Sequence, residues 1–308
     1  MNDHHPHTPP SHPPKISICI PAYRGERFIG AAIESVLTQT ERDFELVIID
    51  DCSPDDTAAV VASYADERIR FIRNTATRGA EGNWNRCLTE AQGRYIKILP
   101  QDDLLVPDCL AAQAAVLDND SAHAIALVCG WRTIVDERGI GIMTRRGPSG
   151  LTGQVPGPVL LRRCVRSGTN LIGEPGGVLF RRETARQVGA FDASIPYLID
   201  LDYWVRLLAY GDGVIIARPL SSFRISNDSW SVAISGRQAG EFNAFITRLV
   251  AQRSAPLATS DIVIGRCMAV LNCLGRLAIY WWRLPRRQRP DLRQTGDGDI
   301  LREKVDVD

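Results

Sequence analysis

Three pairs of acidic residues stand at the ends of predicted strands or loops. The pairs are Asp50 with Asp51, Asp102 with Asp103, and Asp200 with Asp202. Carboxylate oxygens are the ligands that Mg²⁺ and Mn²⁺ prefer, and a carboxylate can also take a proton from a hydroxyl as a general base. Such pairs also cap helices and shape turns, so one pair alone carries little weight. Three pairs along one chain favour a site for metal binding and acid–base chemistry.

Other common sites have no motif in this chain. The first apolar run ends at residue 20 without a following G-x-G-x-x-G, which disfavours a dinucleotide fold, and no G-x-x-x-x-G-K-[ST] loop occurs. None of the eight cysteines is spaced as C-x-x-C, which argues against a zinc site. Cysteines within apolar runs are typical of reduced, buried thiols in a cytoplasmic protein.

The elements that must position these carboxylates alternate in the first half of the chain. Apolar runs predict strands over residues 15–20, 45–49, 69–73 and 95–99, and helical spacing predicts helices over 26–39, 54–65, 82–91 and 107–117. This order predicts a parallel sheet with helices on both faces. Tyr23, Asp51, Asn74 and Asp102 each follow a strand, at the edge where such sheets bind ligands.

The second half of the chain is less regular. Strands are predicted over residues 124–129, 178–180 and 214–217, and a helix over 201–209. The Gly- and Pro-rich segment 139–157 predicts a long loop. Residues 236–282 have the apolar spacing of helices, and the polar segment after residue 286 predicts a loose tail.

The composition limits the classes of function further. Hydrophobic residues make up 44% and charged residues 23% of 308, which excludes a globally disordered or collagen-like chain. The net charge of +0 argues against a nucleic-acid partner. The N-terminus lacks the apolar region of a signal peptide, and no uncharged apolar run reaches the ~18 residues of a membrane helix. We therefore expect a cytoplasmic protein.

Five stretches together resemble the family 2 glycosyltransferases of the GT-A fold. They are ISICIPAY at 16–23, FELVIIDDCSPDDT at 44–57, RGAEGNWNRCL at 78–88, GRYIKILPQDDLL at 93–105, and the segment 176–211 that begins GGVLF. The resemblance implies an α/β fold with a Rossmann-like, mostly parallel sheet flanked by helices, and a C-terminal helical extension. It also implies that one sugar moves, with inversion, from a nucleotide sugar to an acceptor.

Composition and the resemblance together divide the chain into four regions. A disordered His- and Pro-rich tail covers residues 1–14, and the glycosyltransferase domain covers 15–235. A helical region follows over 236–285, and a polar tail over 286–308.

The resemblance places most contacts to the nucleotide at the predicted strand ends. By resemblance, Pro21, Ala22 and Tyr23 would line the pocket of the base. Asp51 would accept the N3–H of uracil, which favours a UDP-sugar, while Asp50 would shape the turn. The remaining nucleotide contacts would come from Arg78, Asn85 and Gln101.

Residues 101–103 stand in the region of the family's D-x-D motif. By resemblance, Asp102 would bind Mg²⁺ or Mn²⁺ on the donor diphosphate. Pro100 replaces the motif's first aspartate, and Ser226 stands where many relatives carry a histidine metal ligand. By resemblance, Gly176 and Gly177 would lie close to the donor sugar, and Asp103 would contact the same sugar. Alternatively, Asp103 would hold Asp102 in position without binding the metal itself, or cap the next helix.

Asp200 precedes the family's D-x-W helix, where the resemblance places the general base, and Asp202 is the alternative. In an inverting transfer one carboxylate deprotonates the acceptor hydroxyl as it attacks the anomeric carbon. One base and one metal therefore suffice. A purely structural role for Asp200, as a helix cap, is the competing interpretation.

The acceptor is expected to be a hydroxyl of a cell-surface glycan or of a lipid-linked intermediate. Two alternatives remain open at this point. The chain could be a polyprenyl-phosphate sugar synthase, whose acceptor is a phosphate, or a non-catalytic subunit that binds a sugar nucleotide.

The segment 262–282 is apolar with few arginines, and a basic cluster follows it. Such a segment either lies on the inner face of an anionic membrane as a peripheral contact, or packs on the domain or a partner subunit.

Overall fold

Ten strands form one sheet in this computed structural model, which describes residues 12–148, 150–225, 235–252 and 256–283. In chain order the strands are β1 (Ile16–Ala22), β2 (Phe44–Asp50), β3 (Ile69–Arg73), β4 (Tyr95–Ile98), β5 (Leu104–Leu105), β6 (Ile125–Val135), β7 (Gly141–Arg146), β8 (Gly153–Val155), β9 (Val178–Arg181) and β10 (Asp212–Arg224). The helices are α1 (Ile29–Leu37), α2 (Thr57–Ala62), α3 (Gly79–Glu90), α4 (Cys109–Asp118), α5 (Gly157–Ser167), α6 (Arg182–Val188), α7 (Ile199–Leu208), α8 (Gln238–Ala251) and α9 (Thr259–Arg283).

The first half of the sheet is parallel, in the order β3-β2-β1-β4. Its central strands are buried on both faces, which explains why they read as continuous apolar runs in the sequence. Ile16, Ile18 and Ile20 of β1 pack toward α1, α2 and α4, whereas Cys19 packs on the opposite face with α3. The predicted alternation of strands and helices is confirmed here.

The second half of the sheet is mixed. β9 pairs antiparallel with both β4 and β6, and β10 runs parallel to β6. β6 and β10 extend past their predicted ends at residues 129 and 217. In β10 the register shifts around Pro219, which interrupts the apolar pattern but not the strand. The parallel pairing expected for most of the sheet is thus found from β3 to β4 and again between β6 and β10, and the other strand pairs are antiparallel.

The prediction of a long loop over residues 139–157 is wrong in part. Gly141–Arg146 forms β7 on the edge of β6, and Gly153–Val155 forms β8 on β10. Both strands are largely exposed, so they lack the apolar alternation that reveals a strand. Helix α5, which follows at once, was not predicted either.

The predicted helical region after residue 236 contains α8 and α9. Helix α9 packs against α5 and α8, with Asp261 buried at its start between Arg162 and Arg166 of α5. α9 has 25 residues, but neither it nor any other helix in the described ranges combines the length and apolar character that a membrane span requires. Residues 1–11, Ser226 and the tail over 286–308 lie outside the described residues.

Two glycines allow α5 and α9 to approach closely. A Cβ at Gly265 would overlap the Val165 carbonyl, and one at Gly168 would overlap the backbone of Ala269. Gly168 ends α5 with a φ of 61°, in the left-handed region that glycine adopts without strain.

We expect Gly168→Ala to lower the free energy of unfolding by about 2–4 kcal/mol, because it adds overpacking to left-handed strain. Urea unfolding would measure the change. Gly153→Ala is the matched control, since Gly153 has a φ of 71° and open space around it. This variant should lose only about 1 kcal/mol. Equal losses in the two variants would contradict the close α5–α9 packing.

Candidate active site

A cavity of about 590 Å³ opens where β1, β2, β4, β6 and β10 end. Seven of the predicted site residues line it, namely Pro21, Ala22, Tyr23, Asp51, Gln101, Asp102 and Asp200. The carboxyl ends of parallel strands meet at one edge, so residues far apart in the sequence converge there.

Asp51 is buried at the start of α3. Its Oδ1 accepts hydrogen bonds from Asn74 Nδ2 at 2.6 Å and from the Arg78 backbone N–H at 2.8 Å, and its Oδ2 accepts one from the Gly79 N–H at 2.9 Å. The carboxylate thus satisfies backbone donors at the N-terminus of α3. A carboxylate offers about four acceptor positions, so Oδ2 can take one further donor from the cavity.

Gln101 holds the backbone of Tyr23. The Gln101 Nε2 donates to the Tyr23 carbonyl and the Tyr23 N–H donates to Gln101 Oε1, each at 2.9 Å. This reciprocal pair joins the loop after β1 to the loop after β4. A Cβ on Gly25 would overlap Gln101 Oε1, so Gly25 leaves room for the pair.

Asp102 and Asp103 point to different surroundings. Asp102 is half-buried and lines the cavity, whereas Asp103 is buried behind it and accepts the Arg224 backbone N–H at 3.0 Å. Burial and the neighbouring Asp102 carboxylate raise the pKa of Asp103 well above its usual range. The Arg224 side chain also donates hydrogen bonds to the carbonyls of Asp102, Asp136 and Glu137. It therefore connects the turn that holds Asp102 and Asp103 to the β6–β7 hairpin.

Asp200 lies in the first turn of α7 and faces the cavity. Its Oδ2 accepts a bond from Asn170 Nδ2 at 2.9 Å and its Oδ1 accepts the Leu201 N–H at 2.6 Å. Burial and the negative charge of Glu174 raise the pKa of Asp200 to about 7, against the lowering effect of these two donors. A carboxyl with such a pKa can exchange protons near neutral pH.

Asp202 is turned away from the cavity. Its two oxygens form ion pairs with Arg206 at 2.8 Å and with Arg248 of α8 at 2.5 Å. Because both oxygens are engaged with cations, the carboxylate joins α7 to α8. It does not share the surroundings of Asp200.

Gly176 and Gly177 lie behind the cavity wall. Their carbonyls accept hydrogen bonds from two buried side chains, Lys97 Nζ at 2.9 Å and Gln113 Nε2 at 2.8 Å. A Cβ on Gly176 would lie 3.1 Å from Leu99 Cδ1, so tight packing on the end of β4 explains this glycine. From this turn, Glu174 and Pro175 line the cavity in place of the two glycines.

The structure places two further predicted residues outside the cavity. The Arg78 side chain is exposed, and only its backbone contributes, through Asp51. The Asn85 amide bonds the backbone of Phe191 in both directions, at 2.7 and 3.2 Å. Asn83, two residues earlier, lines the cavity instead.

Comparison with known proteins identifies the family of the chain. The family model described as glycosyl transferase family 2 matches residues 17–189, more than half of the chain. The chain belongs to glycosyltransferase family 2. An uncharacterized protein of Mycobacterium tuberculosis is 31% identical over 87% of this chain and 81% of its own length.

Named relatives align over smaller parts of this glycosyltransferase. The Escherichia coli UDP-Glc:α-D-GlcNAc-diphosphoundecaprenol β-1,3-glucosyltransferase WfgD is 38% identical over 33% of this chain and 40% of its own length. The putative glycosyltransferase EpsE of Bacillus subtilis is 30% identical over 64% of this chain and 68% of its own.

Solved structures share the GT-A fold at low identity. The Staphylococcus aureus TarS 1–349 complex with UDP-GlcNAc superposes with a TM-score of 0.62 at 16% identity, over 91% of this chain and 79% of TarS. A Pyrobaculum calidifontis mannosyltransferase in complex with GDP-Man and Mn²⁺ gives 0.58 at 16% identity, over 91% and 78%. This likeness shows the fold.

Sequence reasoning missed the residues that hold Asp200 in this glycosyltransferase. Asn170 bonds Asp200 and also exchanges two 3.0 Å bonds with the backbone of Gly173. Arg132 lines the cavity and forms an ion pair with Glu174. The one signal in the sequence that could have identified Asn170 is its position three residues before Gly173, because this spacing is typical of a turn stabilised by a side chain.

The Gln101–Tyr23 pair can be tested by a double-mutant cycle. Gly25→Ala should displace Gln101 and lower the free energy of unfolding by about 1–2 kcal/mol, the value of two hydrogen bonds. Gln101→Ala should cost a similar amount. The double variant should then lose little more than Gln101→Ala alone, because the overlap has disappeared. Additive losses in urea unfolding would contradict the contact between Gly25 and Gln101.

Proposed function

We propose that this glycosyltransferase moves one sugar, with inversion, from a UDP-sugar to a hydroxyl of a cell-surface glycan or lipid-linked acceptor. The observation that carries the proposal is Asp200, a carboxyl in the cavity with a pKa of about 7 and a fixed orientation. Asp51 and Asp102 line the same cavity, so the expected donor and acceptor sites adjoin.

Uridine recognition is supported by Asp51. Its Oδ2 retains an acceptor position that matches the N3–H of uracil, while the half-exposed ring of Tyr23 offers a face on which a base can stack. The fold by itself accommodates more than one base, since one neighbour holds UDP-GlcNAc and another GDP-Man. The proposal for UDP therefore rests on the chemistry of Asp51.

In the proposed reaction the acceptor oxygen forms a bond to the anomeric carbon as the bond from that carbon to the UDP oxygen breaks. The Asp200 carboxylate takes the proton of the acceptor hydroxyl, and UDP leaves with the bonding electron pair. Asn170 and the Leu201 N–H keep the Asp200 carboxylate in place during this transfer.

The residues suit a divalent metal that is shared with the donor. Among the described residues, no group of three or more His, Cys, Asp or Glu side chains is arranged to hold a metal ion. Mg²⁺ commonly uses one or two carboxylates together with substrate phosphates, and Asp102 supplies one at the cavity wall. When bound, the metal would offset the charge that develops on the leaving diphosphate.

A lipid-linked acceptor is supported by the E. coli relative, whose name specifies a GlcNAc-diphosphoundecaprenol acceptor. The acceptor in this chain would enter beside Asp200, on the side of Asn170 and Glu174. Such an acceptor implies that the enzyme works at the cytoplasmic face of a membrane.

Calorimetric titration with UDP tests the metal proposal. Mn²⁺ alone should show no saturable binding below about 1 mM, and Mn²⁺ should strengthen UDP binding about tenfold or more. Asp102→Asn should abolish this gain because it removes the carboxylate that shares the ion. Asp108→Asn is the matched control, since Asp108 is exposed and pairs with Arg218 on the surface. An unchanged effect of Mn²⁺ in Asp102→Asn would refute the assignment.

The base is tested by kinetics. Below pH 7 Asp200 is protonated and cannot accept a proton, so kcat/KM should rise with pH and reach half its plateau near pH 7. Asp200→Asn should lower kcat about 10²–10⁴-fold and remove this pH limb. Asp202→Asn should lower thermal stability but keep the pH limb. Full activity of Asp200→Asn with a lipid phosphate as acceptor would instead favour a polyprenyl-phosphate sugar synthase.

A further inference from the structure

Several arginines line the cavity wall on the side of Asn170 and Glu174. Arg132, Arg146 and Arg276 line the first cavity. A second cavity of about 500 Å³ adjoins it and shares Arg132 and Arg146. We call this second cavity the arginine groove; its other arginines are Arg145, Arg163 and Arg166.

The positive charge of this region is only partly balanced. Arg166 pairs with Asp261 at 2.7 Å, and Arg132 pairs with Glu174. For Arg146 the described part of the chain provides no carboxylate within ion-pair distance; its Nη1 contacts Met143 Sδ at 3.8 Å. Burial and the positive charges of Arg132 and Arg276 lower the pKa of Arg146. An anion placed among these side chains would relieve that repulsion.

Two guanidinium groups have buried donor atoms without a partner. The Arg132 side chain is 3% exposed, and its Nη1 has no hydrogen-bond acceptor among the described residues. The same holds for Nε of Arg276. A buried donor left unpaired costs about 1–3 kcal/mol, and more when it is charged. Phosphate oxygens match the planar fork of an arginine and would supply the missing acceptors.

One wall of the groove is apolar and leads to an exposed surface. Ile264 and Met268 of α9 line the groove. From Ile264 a row of exposed apolar residues continues along α9, at helical spacing. We call this row the α9 stripe; it consists of Val263, Ile264, Cys267, Val270, Leu271 and Leu274. An anion-binding groove that borders a hydrocarbon-like surface has the polarity of a lipid phosphate.

We propose that the arginine groove binds the phosphate or diphosphate of a lipid-linked acceptor, with the start of its hydrocarbon chain on the α9 stripe. This inference rests on the proposed function, because it concerns the acceptor of the same reaction. Arg132 Nη2 donates to the Asn170 carbonyl at 3.3 Å, and the Asn170 amide bonds Asp200. A sugar attached to a phosphate on Arg132 and Arg146 would therefore extend toward Asp200.

Binding of farnesyl diphosphate to the full-length protein tests this inference, with inorganic pyrophosphate and UDP as the comparison ligands. The wild type should bind farnesyl diphosphate about tenfold more tightly than pyrophosphate. Arg146→Gln should weaken farnesyl diphosphate binding tenfold or more through the loss of a charge-assisted bond, and leave UDP binding unchanged. Arg266→Gln is the matched control, because Arg266 lies on α9 outside the groove and should have no effect.

The stripe is tested separately. Leu271→Gln, at a site that is 59% exposed, should weaken the binding of farnesyl diphosphate about threefold and leave the binding of pyrophosphate unchanged.

The arginine variants have outcomes that would contradict the inference. Equal losses of farnesyl diphosphate binding in Arg146→Gln and Arg266→Gln would overturn the site. A parallel loss of UDP binding in Arg146→Gln would assign the arginines to the donor diphosphate instead. Pyrophosphate binding as tight as that of farnesyl diphosphate would leave only a free-anion site.

The two proposals can fail independently. If the wild type binds no UDP but binds farnesyl diphosphate with the expected dependence on Arg146, the arginine groove stands and the proposed donor is wrong. If UDP binds and farnesyl diphosphate does not, the groove is overturned while the transfer reaction stands.

Discussion

The buried ammonium group of Lys97 joins the two halves of the sheet. Lys97 belongs to β4, the last strand of the parallel half, and donates to the carbonyls of Gly176 and Val178 at 2.9 and 3.1 Å. Burial lowers the pKa of this lysine, and an unpaired ammonium would be very unfavourable in such a place. The turn before β9 must therefore keep its carbonyls directed inward, which leaves Glu174 and Pro175 facing the cavity.

The same turn is held from the other side by α7. Trp204 is fully buried, and its indole N–H donates to the Gly173 carbonyl at 3.0 Å. Asn170 bonds both Gly173 and Asp200. The orientation of the proposed base is thus set by one turn that is fixed by β4 behind it and α7 beside it. This fixed environment explains why Asp200, although only half-buried, keeps one orientation and a raised pKa.

Local sequence patterns predicted the parallel half of the sheet and the residues at its strand ends. Asp51 and Asp102 follow buried apolar runs, and this topology requires such positions to converge. The roles of Asp103, Asp202 and Asn85 depend on partners far away in the chain, namely Arg224, Arg248 and Phe191. Strand β7 has no apolar face and pairs with β6 through shifted register, so no local period identifies it. Arg132 and Arg146 were missed because only this pairing brings them together.

The cavity changes in charge from one end to the other. Asp51 and Asp102 stand at the proposed donor end, and Arg132 and Arg146 lie on the side of Asn170 and Glu174. Glu174 couples the two regions, because it pairs with Arg132 and also raises the pKa of Asp200. An anionic acceptor on Arg132 and Arg146 would offset their positive charge and add a negative charge near Asp200. Both effects would raise the pKa of the carboxylate further, so its ionised form would take a proton more strongly while a smaller fraction of Asp200 would be ionised at neutral pH.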